Sequence, residues 1–248
     1  MTFTSQTLRE ISIVAKELGI ETAALLAVAE IESGGKAFTV IDGRQEPLIR
    51  FEAHYFDRRL SEPNRLKARA FGLSSPTAGA IANPKTQGAR WKLLAKAAVI
   101  DRNAAYESVS WGLGQVMGAH WAWLGYASID ALVEEARGSV AGQTRLMARF
   151  IDKSGLAHAL KRRDWEAFAR SYNGPAYKRH GYHTKIAAAY ARYAKAAEDG
   201  DLGPRAAGNV RPSIAIPGKA PAPNRNGIAA WMRLIGTIVG LVGSVLRR

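Results

Sequence analysis

Residues 22–35 read Thr-Ala-Ala-Leu-Leu-Ala-Val-Ala-Glu-Ile-Glu-Ser-Gly-Gly, and their spacing sets how the rest of the chain is read. Leu25, Val28, Ala29 and Glu32 fall at i, i+3, i+4 and i+7, so a helix over Thr22 to Ser33 continues an apolar, core-directed face into a carboxyl. Gly34-Gly35 suit the left-handed conformation that closes a helix. A carboxyl desolvated by an apolar pocket holds its proton towards neutral pH, which is what a general acid for glycosidic cleavage requires. Glu30 lies about 200° round the same helix and is the poorer candidate. The plainer alternative for Glu32 is a carboxylate that caps a neighbouring element or pairs with an arginine, and spacing alone does not choose between them.

Outward from this helix, Leu8, Ile11, Val14, Ala15 and Leu18 predict an amphipathic helix from about Ser5 to Leu18, ending at Gly19. Downstream, Phe38 to Ile41 and Leu48 to Glu52 are β-prone, and Asp42-Gly43 supplies hairpin turn chemistry, with Pro47 lengthening the loop. This hairpin is expected to be the only sheet. Ser61 to Gln87 holds three prolines and little periodicity, which predicts a long irregular loop. Helices are predicted over Trp91 to Arg102, Leu113 to Leu124, Ile129 to Phe150, Leu156 to Tyr172 and Thr184 to Glu198, with breaks at Gly112, Gly125, Gly155 and Gly174-Pro175. The fold class is therefore mainly α (α+β), a helical domain over residues 1–198 with one small hairpin.

The 248 residues are 47% apolar, enough for a sizeable core. There is no cysteine, so disulfides and thiol chemistry are excluded. The formal charge of +14 predicts attraction to polyanions: nucleic acid, anionic lipid or the acidic groups of a cell wall. The basic residues are scattered, with no groove-reading helix, so nucleic acid is not an expected partner. His158, His180 and His183 lack metal-ligand spacing, and neither metal nor cofactor is expected. Residues 1–20 carry no basic cluster followed by an apolar run, so no signal peptide is visible and synthesis in the cytoplasm is expected.

Three ordered motifs give these features a common meaning. Glu32-Ser33-Gly34-Gly35 resembles the Glu-Ser motif that ends the catalytic helix of goose-type lysozymes and soluble lytic transglycosylases, where the Glu is the acid. Trp111-Gly112-Leu113-Gly114-Gln115-Val116-Met117-Gly118 resembles the Gly-Leu-Met-Gln-Ile element that lines their sugar cleft, and Ser171-Tyr172-Asn173-Gly174 their Ala-Tyr-Asn segment facing the acid. With Phe51-Glu52-Ala53-His54-Tyr55-Phe56 following an Asp-Gly hairpin, the chain is most similar to the N-acetylmuramidase domain of phage endolysins over about residues 8–195. The resemblance implies a lysozyme-like fold, bacterial peptidoglycan as substrate, action in the periplasm or cell wall, and Glu32 as the acid. Hydrolysis of the bond between N-acetylmuramic acid and N-acetylglucosamine is the first reading. A lytic transglycosylase closing a 1,6-anhydro ring is the second, and a non-catalytic basic glycan-binding or membrane-permeabilising protein the third.

Glycoside hydrolysis generally uses a second carboxylate. In a hairpin whose second strand returns to the start of the first, Glu52 would lie near Phe38 and the end of the Glu32 helix, whereas Asp42 at the turn would be about 13–16 Å further along. Glu52 is favoured, with Asp42 as the alternative; Asp42 also serves simply as a residue that tolerates a left-handed turn. Gln115 is a candidate to bind an N-acetyl group or position Glu32, or else satisfies its own turn. Tyr172 is a candidate to orient the acid, and Asn173 either joins it or caps a helix. His54 is a lesser candidate for substrate contact. Of Trp111, Trp121 and Trp123, which have flat apolar faces suited to a sugar ring, Trp111 is preferred, although a Trp in a helical domain more often packs in the core.

After Glu198 the composition changes. Residues 199–226 read as a Pro/Gly-rich linker, and 227–248 as an apolar, arginine-containing helix about long enough to cross a bilayer core. No acidic residue follows Asp201, so contact with an anionic membrane is expected through Ile228 to Arg248. A monomer is favoured.

Overall fold

The computed structural model describes residues 2–200. In chain order, the first helices are α1 (Ser5–Glu17) and α2 (Thr22–Ser33), followed by strands β1 (Phe38–Ile41), β2 (Arg44–Pro47) and β3 (Ile49–Phe51). Helices α3 (Ala53–Arg59), α4 (Glu62–Ala70), α5 (Gln87–Ile100) and α6 (Arg102–Glu107) lead to β4 (Val109–Trp111) and β5 (Val116–Met117). A short 3-10 turn, Gly118–His120, precedes α7 (Ile129–Gly138), α8 (Val140–Lys153), α9 (Ala157–Lys161), α10 (Trp165–Tyr172), α11 (Tyr177–His180) and α12 (Tyr182–Glu198). The mainly helical class expected from periodicity is the class observed. The basic apolar stretch from Ile228 and the linker before it lie outside the described residues; within them, no helix is long and apolar enough to cross a membrane.

The described residues form two compact units, one from residues 2–35 together with 148–200, the other from Lys36–Met147. In the first, α2 is buried on every side along its first two turns, Ala23 to Ala29 all being inaccessible, as a helix that is apolar all round must be. Against it pack α12 and α1, whose buried stripe is Leu8, Ile11, Val14 and Ala15. Gly34, in the left-handed conformation at φ 63°, ends α2 one residue after Ser33.

The second unit departs from expectation in its sheets. Asp42 and Gly43 form a two-residue turn with φ 48° and 78°, so β1 pairs with β2, Phe38 opposite Pro47 and Ile41 opposite Arg44. Pro47 ends that short edge strand instead of lengthening the loop. The residues expected to return along β1 belong to a second sheet of order β3-β4-β5, with Ile49 opposite Trp111 and Phe51 opposite Val109. The outer edge of β3 meets side chains instead of a strand. Asn83 accepts from the Phe51 amide (3.0 Å) and donates to its carbonyl (2.6 Å), while Gln87 accepts from the Ile49 amide (2.9 Å).

Further expectations change: the helices predicted over Ile129 to Phe150 and Leu156 to Tyr172 are each two, α7 with α8 and α9 with α10. The segment from Leu113 to Leu124 is not a helix but a turn, a strand and a 3-10 turn, because the backbone is held open from Gly112 onward. Gly112 (φ 63°) lies so close to the Gln143 amide that a Cβ would come within 2.8 Å of its Oε1, and a Cβ on Gly114 would meet Met147 at 2.6 Å. Ser61–Gln87 is not wholly irregular, since it contains α4. Pro63 sits in the first turn, where a proline is tolerated, and Ala68 is the one buried residue, which is why no apolar period marks the helix. Its anchor is polar: Arg69 forms two 2.8 Å hydrogen bonds to the buried Asp57, which Ser74 also donates to at 3.0 Å.

Gln143 is the buried hub of this unit. Its Oε1 accepts from the Leu113 amide (2.9 Å), and its Nε2 donates to the carbonyls of Ala37 (3.1 Å) and Ala136 (3.0 Å). Replacing it by leucine strands three backbone groups away from water, so Gln143→Leu should lower stability in urea titration by about 2–4 kcal/mol. A loss below about 1 kcal/mol would mean that the Gly112 loop holds itself.

Candidate functional site

Glu32 occupies the last turn of α2, partly buried, where the apolar body of the helix has removed most of its water. Its Oε1 accepts a 2.7 Å hydrogen bond from Nδ2 of Asn173. Desolvation raises the carboxyl's pKa from 4.5 to about 7, and the Asn173 bond, which favours the ionised form, only partly offsets it. Among the described residues, the partner shown for the carboxyl is this side-chain amide, not an arginine. Asn173 sits at the C-cap of α10, its own amide donating to Ala169 (2.8 Å), and its side chain is 2% exposed. The Oδ1 atom is buried with no hydrogen-bond partner among the described residues. Tyr172 stacks on Phe168 (ring centroids 5.2 Å apart) and meets Phe150 edge-on. Burial first, and then the charge of Glu32, hold its phenol protonated. The sequence-predicted trio of Glu32, Tyr172 and Asn173 is thus brought together within one unit.

In the other unit Glu52 is 6% exposed and follows β3, its backbone amide donating to Ser108 (2.8 Å). Arg50 donates to its Oε1 at 2.8 Å. Burial pushes its carboxyl up, while Arg50 and then Arg90 pull it back. The hairpin expected to carry Glu52 beside Phe38 does not exist, since Phe38 faces Pro47. His54 is 1% exposed with Nδ1 3.7 Å from Glu52 Oε2; burial, then Arg58, Arg50 and Arg59, lower its pKa to about 4, so its imidazole is neutral at physiological pH. Asp42 stands exposed at the tip of the β1–β2 turn.

Gln115 adopts φ 47° and donates from Nε2 to the Gly112 carbonyl (2.8 Å), so its amide satisfies the turn it belongs to. Trp111 is a correction: it is fully buried in β4, donating from Nε1 to Tyr106 (3.1 Å) and packing edge-on against Trp91 and Tyr106, with no face for a sugar ring. Trp121 and Trp123, passed over in its favour, are partly exposed on the segment that is not helical. Arg50 and Gln143 went unremarked in the sequence. Signals for both existed: Arg50 and Glu52 alternate on one face of a strand, and Gln143 interrupts the apolar stripe of Leu146, Met147, Phe150 and Ile151 on α8.

Residues 21–194 match the family Muramidase (N-acetylmuramidase), and the chain belongs to that family. Among solved structures, the chain is similar to the crystal structure of Burkholderia AP3 phage endolysin, with 34% identity, TM-score 0.66, and coverage of 76% of this chain and 71% of that one. No curated protein matches the chain. The chain is a phage endolysin-type muramidase domain, a glycosidase-type enzyme that degrades peptidoglycan.

Because burial raises Glu32, the folded chain binds its proton more tightly than the unfolded chain does. The stability tied to that proton is complete below pH 4.5 and lost as pH rises through about 7. Glu32→Gln does not titrate, so it should gain about 3 kcal/mol on the wild type across that window and no more above it. Denaturant unfolding at a series of pH values reads the gap; one independent of pH would mean that the carboxyl is well solvated.

Proposed function

We propose that the enzyme hydrolyses the glycosidic bond between N-acetylmuramic acid and N-acetylglucosamine, with Glu32 as general acid. The observation that carries this reading is a desolvated carboxyl at the end of α2, raised to about 7 and fixed by Asn173. Protonated, Glu32 delivers its proton to the bridging oxygen as the bond to the anomeric carbon breaks; water adds its oxygen to that carbon and gives up a proton to a carboxylate. Tyr172 borders the acid, and Gln115 is proposed to contact the sugar through Oε1, since its Nε2 is engaged by Gly112; His54, as inaccessible as Trp111, is not proposed to reach it.

For the second carboxylate we favour Glu52 over Asp42. Glu52 is held by Arg50 in a desolvated position, whereas Asp42 is exposed and serves a turn. Mass analysis of muropeptides from purified peptidoglycan should find products that have gained water; anhydro products would replace this reading with transglycosylation. Turnover of the wild type should decline above about pH 7, as Glu32 loses its proton. Glu32→Gln should lose about 1,000-fold or more and Glu52→Gln about 100-fold, while Asp42→Asn, which tolerates the same turn, should stay within about twofold. Full turnover in Glu52→Gln would leave Glu32 working without that partner.

The stretch from Ile228 to Arg248 is proposed to contact anionic membrane, on its basic, apolar sequence. Sedimentation with anionic vesicles should retain the full chain and release one truncated at Gly227; equal binding of both removes the proposal.

A further inference from the structure

α2 carries the acid, yet most of what touches it is apolar. From Ala23 to Ala29 it is enclosed on all sides, four of those seven residues being alanines. Such contacts are non-directional and resist a small slide or rotation of the helix weakly. Directional contacts come from its two ends. At the N-cap, Glu21 accepts from the Tyr190 hydroxyl of α12 (2.7 Å) and pairs with Arg163 (3.3 Å). In the last turn, Glu30 accepts from the Tyr193 hydroxyl on one oxygen and from the Arg192 guanidinium on the other, both again on α12.

The two attachments differ in burial. The Glu21 pair is exposed, and exposed pairs contribute little. Glu30 has a side chain 12% exposed, and the Tyr193 ring is 1% exposed, so packing fixes the ring and hence the place of its hydroxyl. Glu30 stands about 200° round the helix from Glu32. The last turn is therefore held on one side by Tyr193 and Arg192 and on the other by Asn173, which reaches Glu32 itself. We infer that Glu30 and Tyr193 are positioning residues for the reaction, a clamp that sets the depth and rotation at which Glu32 is presented. This rests on the reading of Glu32 as the acid. The clamp acts through α2 alone; neither residue is proposed to touch the sugar.

Tyr193→Phe removes one hydroxyl, keeps the ring and changes no charge, so a shift in the titration of Glu32 reports its place, not its field. Among the described residues of this unit, Asn173 and Tyr172 of α10 face Glu32, and both are retained. Loosening the turn admits water to the carboxyl. Since desolvation outweighs the Asn173 bond, the upper limb of the pH–rate profile should move down towards the ordinary carboxylate range. In the full-length enzyme acting on purified peptidoglycan, we expect turnover to fall about tenfold, with KM little changed. We also expect the alkaline midpoint to drop by about half a unit or more. Glu30→Gln, which still accepts from Tyr193 through one oxygen but no longer offers Arg192 a carboxylate, should lose less turnover than Tyr193→Phe.

An unchanged midpoint in Tyr193→Phe, whether the rate is unchanged or falls only with the folded fraction measured by circular dichroism, overturns the clamp. Should Tyr193→Phe fail to fold, Glu30→Gln decides by the part of its midpoint shift that persists at about 1 M salt, where the field of the lost charge is screened: a shift that vanishes there overturns the clamp. Activity surviving in Glu32→Gln would instead overturn the assignment of the acid, a result separate from either variant of the clamp.

Discussion

One carboxyl, stripped of most of its water and given an amide hydrogen bond from Asn173 in return, is the constraint on which the proposed chemistry depends. Burial costs the ionised form of Glu32 more than Asn173 gives back, so the proton stays near neutral pH. Among the described residues, the apolar body of α2 and the C-cap of α10 that set this balance lie in one compact unit, as do the α12 side chains proposed to clamp it. The balance is also tunable in principle, because the two opposing contributions come from different elements. A fraction of an ångström in the placement of α2 alters water access and the amide contact together.

The other unit is organised by side-chain amides that take the place of backbone. Gln143 joins three separate stretches of main chain through one buried group, and the Gly112 loop lies against it with no room for a Cβ. The loop carrying Gln115 is therefore shaped by a residue far away in sequence. This is the physical content of the Gly-Leu-Gly-Gln motif here: the glycines are where another side chain must pass, and Gln115 closes the turn on itself at a positive φ.

Much of the fold was legible where a period was strong. The limits of α2 agree with those read from its apolar spacing and from Gly34, and α1 and α12 agree to within a few residues. The β-region was less legible because pairing is non-local: Ile49 finds its partner at Trp111, beyond four helices, and no local pattern announces that. Helix α4 was hidden because it buries a single alanine and is held by an ion pair to Asp57. For the site, Glu32, Tyr172 and Asn173 were readable from ordered motifs, and the structure brings them together. Trp111 was misjudged because residue type alone does not say which way a strand side chain points, and the buried amide of Gln143 was overlooked within an apolar stripe.

The amides of Asn83 and Gln87 on β3 have a consequence beyond the local hydrogen bonds. A bare strand edge is an invitation to a strand from another molecule, and repeated acceptance of that invitation builds fibrils. Here Asn83 imitates one residue of a neighbouring strand, donor and acceptor together, and then supplies no second residue to continue it. Sheet growth meets a chain terminator at that edge, so the short Ile49–Phe51 segment can sit in a crowded solution of identical molecules without serving as a template.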